Sequence, residues 1–383
     1  MFIFFDNILR FKKYYYAFYH SRVTNDPDAF LGFSGLPRNI SRLGFNSFET
    51  EYSGLGFENN WSILQYGRGR QAWGSGNDLF LSSSINSPPY DYGLIGIKLG
   101  KIKMRYFHGF LESVGHNKKI NRYILGRGIE WSNSKNLLIG INEIVVYQGE
   151  NRPIDLTMLN PISNHIEIEI NNRQNMQGNY QNAIWQLSVD SFLNSRFRFS
   201  FNYAIDELTI DQVEKDIDET NLTAFSSKLV YKVYDNKYGK ILSSFKYIKI
   251  GTHTFRHAYG MNNFVTRHSP IGNSFGSDIL LYEFGLDFFD NDKIFINTKF
   301  GYREEGENTI LIDPYDSNED IIKEPFPSGN IKEVLFGVLN FEKWFNSNNA
   351  ISLSIGLDKN NEDLNGYVRL GLFFSLNNNI NYF

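Results

Sequence analysis

Hydrophobic residues fall at every second position over stretch after stretch of this chain. Between residues 195 and 205, Phe197, Phe199, Phe201, Tyr203 and Ile205 take one side, and Arg196, Arg198, Ser200, Asn202 and Ala204 take the other. Ile351, Leu353, Ile355 and Leu357 likewise oppose Ser352, Ser354 and Gly356, and Leu280, Tyr282, Phe284, Leu286 and Phe288 oppose Glu283, Gly285 and Asp287. Successive side chains of a strand point to opposite faces, so a period of two predicts strands with one apolar and one polar side. No apolar run approaches the ~20 residues that a spanning helix needs. Many such strands without helices predict a transmembrane, antiparallel, up-and-down β-barrel.

The connections carry the stronger half of that expectation, because outer-membrane barrels alternate short periplasmic turns with long outer loops. In the second half we read strands at 196–205, 222–234, 239–253, 278–289, 293–304, 331–344, 349–358 and 366–376. Short turns at Leu193-Asn194, Asp235-Asn236-Lys237, Asp290-Asn291-Asp292 and Phe345-Asn346-Ser347-Asn348 alternate with the loops 206–221, 254–277 and 305–330. The first half threads as 9–20, 44–57, 61–70, 91–99, 101–112, 121–132, 136–147 and 183–192. Residues 1–383 then form one barrel of about sixteen to eighteen strands, wide enough for a watery lumen. The connections 71–90 and 148–182 are long and partly apolar, which predicts loops that fold into the lumen and narrow or plug it.

Composition fits. Aromatic residues make up 16% of the chain, with 23 Tyr and 34 Phe, and both bilayer interfaces favour such rings. The mean hydropathy of -0.36 is what a barrel gives when half of each strand faces lipid and the loops face water. A net charge of -4 supplies no basic field, so nucleic acid is not an expected partner.

Candidate chemistry is sparse. Cysteine is absent, which removes disulfides, thiolate metal sites and cysteine nucleophiles. The seven histidines show no close ligand spacing, and His253 and His257 fall where a strand runs into a loop; no metal or cofactor is expected. His108 sits on a strand without a nucleophile motif nearby, Gly67-Arg68-Gly69 opens no helix, and Asp290-Asn291-Asp292 lacks the rest of a calcium loop. The required catalytic constellation is missing, so we expect no enzyme.

The run Gly67-Arg68-Gly69-Arg70-Gln71-Ala72-Trp73-Gly74-Ser75-Gly76-Asn77-Asp78-Leu79-Phe80-Leu81-Ser82, followed by Pro88-Pro89, resembles a segment of the Wzi-type capsule assembly proteins. Further similarities follow in family order: Ile139 to Glu143 with Val146-Tyr147, Leu159-Asn160-Pro161, Tyr203 to Leu208, Pro270-Ile271-Gly272, and Gly276-Ser277-Asp278. Together they span about residues 60 to 280. The resemblance implies a bacterial outer-membrane barrel that holds capsular polysaccharide at the cell surface as a lectin, with surface polysaccharide and outer-membrane lipid as partners. The family's barrel is preceded by a small periplasmic helical bundle, which is not visible in this sequence, and we expect such a periplasmic segment to lie upstream of it. A porin-like diffusion channel for small or sugar solutes is the alternative, since both functions need a polar lumen.

Sugars offer hydroxyls at the edge and C–H groups on the faces, so their sites combine planar polar groups with aromatic rings. Two sets qualify: Arg68, Arg70, Trp73, Asn77 and Asp78, and Arg127, Glu130 and Trp131. Arg68 and Arg70 share one strand face, and if that face is inward both cations enter the lumen, where Arg and Glu also form structural ion-pair ladders. In the last strand Arg369, Gly371, Phe374 and Leu376 resemble the signal read by the barrel assembly machinery, and we expect a monomer. Met1-Phe2-Ile3-Phe4-Phe5 is broken by Asp6 before it could serve as a signal-peptide core. An exported protein needs such a signal, so we expect the true start to lie upstream.

Overall fold

The computed structural model describes residues 2–27, 35, 44–115, 118–174, 181–206, 222–257, 260–290, 293–311, 325–346, 349–360 and 363–374. It consists of β1 (Phe2–Phe11), β2 (Tyr15–Thr24), β3 (Ser47–Glu58), β4 (Ser62–Gly69), β5 (Tyr90–Leu99), β6 (Ile102–Val114), β7 (Ile120–Ser132) and β8 (Leu137–Glu150). A short helix α1 (His165–Ile170) precedes β9 (Gln181–Phe192), β10 (Phe197–Asp206), β11 (Thr223–Asn236) and β12 (Gly239–Ile250). The two-residue β13 (Val265–Thr266) and β14 (Ser269–Pro270) pair with each other inside a loop. Then follow β15 (Ile279–Asp290), β16 (Ile294–Glu305), β17 (Lys332–Trp344), β18 (Asn349–Lys359) and β19 (Leu364–Phe374).

Apart from β13 and β14, the strands form one 17-stranded sheet in which each long strand pairs antiparallel with its neighbour along the chain. This is the up-and-down barrel that the alternation predicts. Its first and last strands come together where Phe4 stacks on Phe373, with ring centroids 5.7 Å apart. Eight turns at one end, none longer than four residues, oppose the long connections 25–46, 70–89, 151–180, 207–222, 251–278 and 306–331 at the other. That asymmetry sets the long-loop end outside the cell.

One predicted strand is wrong. Residues 9–20 are not a single strand; the chain turns back at Lys12-Lys13-Tyr14, with Lys12 at φ 54°, and Phe11 pairs with Tyr15. The predicted loop 206–221 falls, beyond Asp206, outside the described residues, as does Leu376.

The two faces divide as hydrocarbon and water require. On the outer face a ladder of rings crosses β10, β11, β12 and β15 near the long-loop end: Phe201 meets Phe225 at 5.1 Å, Phe225 meets Tyr247 at 5.5 Å, and Tyr247 meets Tyr282 at 5.2 Å. It forms part of an interfacial girdle. The inner face carries Lys228, Lys246, Glu283, Lys299, Asp287 and Asn297, joined by contacts such as Lys246–Glu283 at 2.8 Å.

The connection after β8 does not enter the lumen as expected. Residues 151–174 lie against the outer wall, and their Met158 and Ile168 form a core with the outward-facing Tyr123, Leu125, Val145, Tyr147 and Ala183. The inward-facing Ile124, Ile144, Val146 and Ile184 belong to a separate core. Polar outward positions explain the placement. Arg127 pairs with Glu143 and donates to the Asn160 carbonyl at 3.1 Å; His165 meets Glu143 at 2.6 Å; Tyr106 donates to the Met158 carbonyl at 2.9 Å. His108 lies between the hydroxyls of Tyr106 and Tyr147, at 3.1 and 2.9 Å. A charge left bare on the lipid face costs about 2–4 kcal/mol at mid-bilayer; the segment covers this one.

The topology predicts that an epitope tag inserted after Leu311 is accessible to antibody on intact cells, whereas tags after Ser134 or Lys237 are reached only once the outer membrane is opened. Surface staining of the last two would reverse the orientation.

Candidate functional site

The lumen is occupied from the long-loop end by two connections that cross it. Trp73 and Leu81 from residues 70–89 pack with Phe255, Phe264 and Ile271 from 251–278 and with Ile310. All six are at most 3% exposed. The wall supplies what an irregular backbone needs. Asn202 of β10 donates to the carbonyls of Ser75 (2.9 Å) and Leu79 (3.1 Å) and accepts from the Ser75 amide (2.7 Å). Ser226 of β11 donates to the Leu79 carbonyl at 2.7 Å, and Gln186 of β9 accepts from the Ser82 hydroxyl at 2.8 Å. Unpaired backbone groups in a buried segment cost free energy, and these inward side chains remove that cost.

The two connections are also locked to each other. The Ser84 amide donates to the Ile271 carbonyl and the Asn273 amide to the Leu81 carbonyl, both at 3.0 Å. A Cβ at Gly272 would lie 1.8 Å from the Leu81 carbonyl oxygen, so this close approach requires glycine. Gly74, at φ 125°, would set a Cβ 2.9 Å from the Asn202 and Gln186 side chains. Asp278, at φ 58°, ties the end of 251–278 to the following loop. It accepts from Thr252 at 2.8 Å and from the Ser328 amide at 3.1 Å.

Beside this plug a chamber of about 820 Å³ opens on the inner face of β1 to β5. Alternation places Tyr16, His20 and Arg22 of β2, Tyr52 of β3, Gln65 of β4 and Tyr92 of β5 on its wall, and Glu51 enters at a bulge in β3. Tyr16 donates to Gln65 at 2.8 Å, and Gln65 donates to Tyr92. Glu51 gathers Arg22 (2.7 Å), Arg70 (3.2 Å) and His20 (3.3 Å). The Arg70 guanidinium lies 5.2 Å from the centre of the Tyr52 ring. Tyrosine rings beside an amide and guanidinium forks are the groups that a sugar's faces and edges can use.

Of the residues singled out in the sequence, Arg70 lines this chamber. Arg68 shares the outer face of β4 with the exposed Leu64 and Tyr66; β4 ends at Gly69, so the two arginines do not share a strand face. Arg68 donates to the Thr50 carbonyl at 2.8 Å and pairs with Glu49 at 3.2 Å, where Arg267 also pairs at 3.0 Å. Trp73 is buried in the plug beneath Arg105, whose guanidinium lies 4.4 Å from the ring centre. Asn77 is exposed. Asp78 meets Lys228 at 2.9 Å and Lys246 at 3.4 Å. Glu130 faces inward against Arg105 at 3.2 Å, while Arg127 and Trp131 face outward, so this second set is split by the wall itself. Arg369, Gly371 and Phe374 lie on β19.

Tyr16, Tyr52, Gln65 and Tyr92 are not among the residues that the sequence motifs mark. Each sits in a strand at inward parity, the one signal that could have marked it.

No protein-family model matches the chain, and no curated protein does. Among solved structures it is similar to Wzi of Escherichia coli, an outer-membrane protein described as a carbohydrate-binding β-barrel involved in group 1 capsule assembly. The TM-score is 0.66 at 14% identity, over 98% of this chain and 78% of that one. OprD of Pseudomonas aeruginosa also matches, at a TM-score of 0.47 and 11% identity over 93% of this chain and 85% of that one. The chain is thus a transmembrane β-barrel of the bacterial outer membrane.

Asp78, which pins the plug to β11 and β12, has a testable pH signature. Burial pushes its carboxyl up, but Lys246 and Lys228 outweigh it and hold the carboxyl below its ordinary value of 3.8. A depressed folded-state value means stability that is present above the unfolded value and lost as pH falls through the folded one. Asp78→Asn should therefore lower the melting temperature above about pH 5, and the gap to wild type should shrink below about pH 4. An undiminished gap at acid pH would show that the lysines do not act through this charge.

Proposed function

We propose that this barrel binds and retains surface polysaccharide, as a lectin without turnover, in the chamber bounded by β1 to β5 and the plug. The observation that carries this is the chamber wall, with three tyrosines, Gln65 and an arginine pair held on Glu51 beside a lumen already crossed by locked loops. The likeness to a carbohydrate-binding barrel supports it. Membership in the Wzi-type family, and a place in capsule assembly, belong to the same proposal. The protein acts as a single chain, inserted by the assembly machinery through Arg369, Gly371 and Phe374 of β19.

A second function, a diffusion channel for small or sugar solutes, is favoured by the charged inner face of β11 to β16, where Lys228, Lys246, Glu283 and Lys299 make a polar wall.

Tyr52→Ala with Gln65→Ala separates the two. Losing a stacked ring costs ~1–3 kcal/mol, about tenfold to a hundredfold in affinity, by analogy with base stacking. The double variant should release surface-held polysaccharide into the medium while keeping the heat-modifiable gel migration of a folded barrel. Full retention by a folded variant would remove the chamber from the account and leave the channel.

A further inference from the structure

We propose that the short-turn rim of the barrel binds anionic phospholipid headgroups of the inner leaflet around its circumference. Six of the eight short turns carry lysine or arginine, among them Lys12, Lys101, Lys135, Arg196 and Lys237, and the only carboxylate in any of the turns is Asp292. The long loops have the opposite bias: residues 207–222 and 306–331 each hold six carboxylates and one lysine. The five named cations are exposed, and Lys12, Lys101, Lys135 and Arg196 form no ion pair among the described residues. Asp235, at the end of β11, is already held by Lys232 at 2.8 Å. Aromatic rings accompany this charge. The ammonium of Lys12 lies 5.8 Å from the centre of the Phe11 ring, that of Lys13 5.6 Å from Tyr14, that of Lys237 4.9 Å from Tyr238 and that of Lys343 5.8 Å from Phe345. All four rings are exposed.

Exposed rings at the rim of a barrel sit in the bilayer interface, and a lysine beside such a ring carries its ammonium out to the level of the headgroups. The short turns face the periplasm, so that level belongs to the inner leaflet, which is built of phospholipid. Basic groups at a membrane surface attract anionic headgroups, whereas a zwitterionic headgroup brings an ammonium of its own and gains less. The arrangement also favours lipid over a protein partner. The hairpins that carry Lys12, Lys101, Lys135, Arg196 and Lys237 succeed one another round the wall. Their charges therefore form a ring, which a bilayer surrounds and a single compact domain does not cover. This proposal stands independently of the sugar chamber.

The test is native mass spectrometry of the full chain in detergent micelles, titrated with dioleoylphosphatidylglycerol and, separately, with dioleoylphosphatidylcholine, which has the same acyl chains. Wild type should retain the anionic lipid at concentrations about tenfold below those needed for the zwitterionic one, and raising the ammonium acetate concentration should narrow that gap. This first readout needs no variant. Lys12→Gln, Lys13→Gln, Lys101→Gln and Lys237→Gln together should remove the preference, whereas arginine at the same four sites should keep it. Lys118→Gln with Lys119→Gln, at the long-loop end, should also leave it unchanged. Equal retention of both lipids by wild type, an undiminished preference in the folded glutamine variant, or its loss on substitution at the long-loop end would overturn the assignment. So would capture of soluble poly-glutamate by a wild type that does not discriminate between the lipids, which would give the rim to an acidic periplasmic protein.

Discussion

Hydrocarbon offers no hydrogen-bond partner, and most of this structure follows from that. Each backbone amide in the wall must find a carbonyl on a neighbouring strand, which forces the chain into a long meander whose sequence repeats with period two. The same constraint governs the two places where irregular backbone leaves the sheet. Inside, Asn202, Gln186 and Ser226 satisfy the loop after β4. Outside, Arg127 and Tyr106 take up the carbonyls of Asn160 and Met158. Polar residues at otherwise apolar positions of the wall mark where backbone has to be received.

The lumen then divides into a filled and an open part. Trp73, Leu81, Phe255, Phe264 and Ile271 behave as the core of a soluble domain, and burial of each such side chain contributes about 1.5–3 kcal/mol. They hold two connections that are distant in sequence in one place. The motif around Trp73 and the Pro270-Ile271-Gly272 motif, about two hundred residues apart, touch where Gly272 meets Leu81. Their shared role is structural, closing one loop onto the other. The chamber left beside them owes its polar lining to strands β1 to β5, which the plug touches at Arg70, Ile85 and Asn86.

The strands were readable because the period of two needs no knowledge of neighbours. Phe197 to Ile205, Leu280 to Phe288 and Ile351 to Leu357 appear where alternation places them. The β1–β2 turn was hidden because Tyr14, Tyr15 and Tyr16 interrupt the alternation and Lys12-Lys13 offers neither glycine nor proline. The site was less readable. Grouping Arg127, Glu130 and Trp131 by closeness in sequence overlooked parity, which sends Glu130 inward and the other two outward. The outer placement of residues 151–174 could have been suspected from His108, Arg127 and Glu143 at lipid-facing positions. The pairing of loop with loop, by contrast, depends on closure of the whole barrel and has no local signal.

The central claim is that the loops inside the barrel are a packed, locked plug. Single-channel conductance of the full chain in a planar bilayer tests it most directly. A locked plug predicts that the inserted protein stays silent, or passes currents far below those of an open barrel with the same number of strands. Steady, large, ohmic steps from the unmodified chain would contradict it, because they require a continuous water column where Trp73, Leu81 and Ile271 now pack.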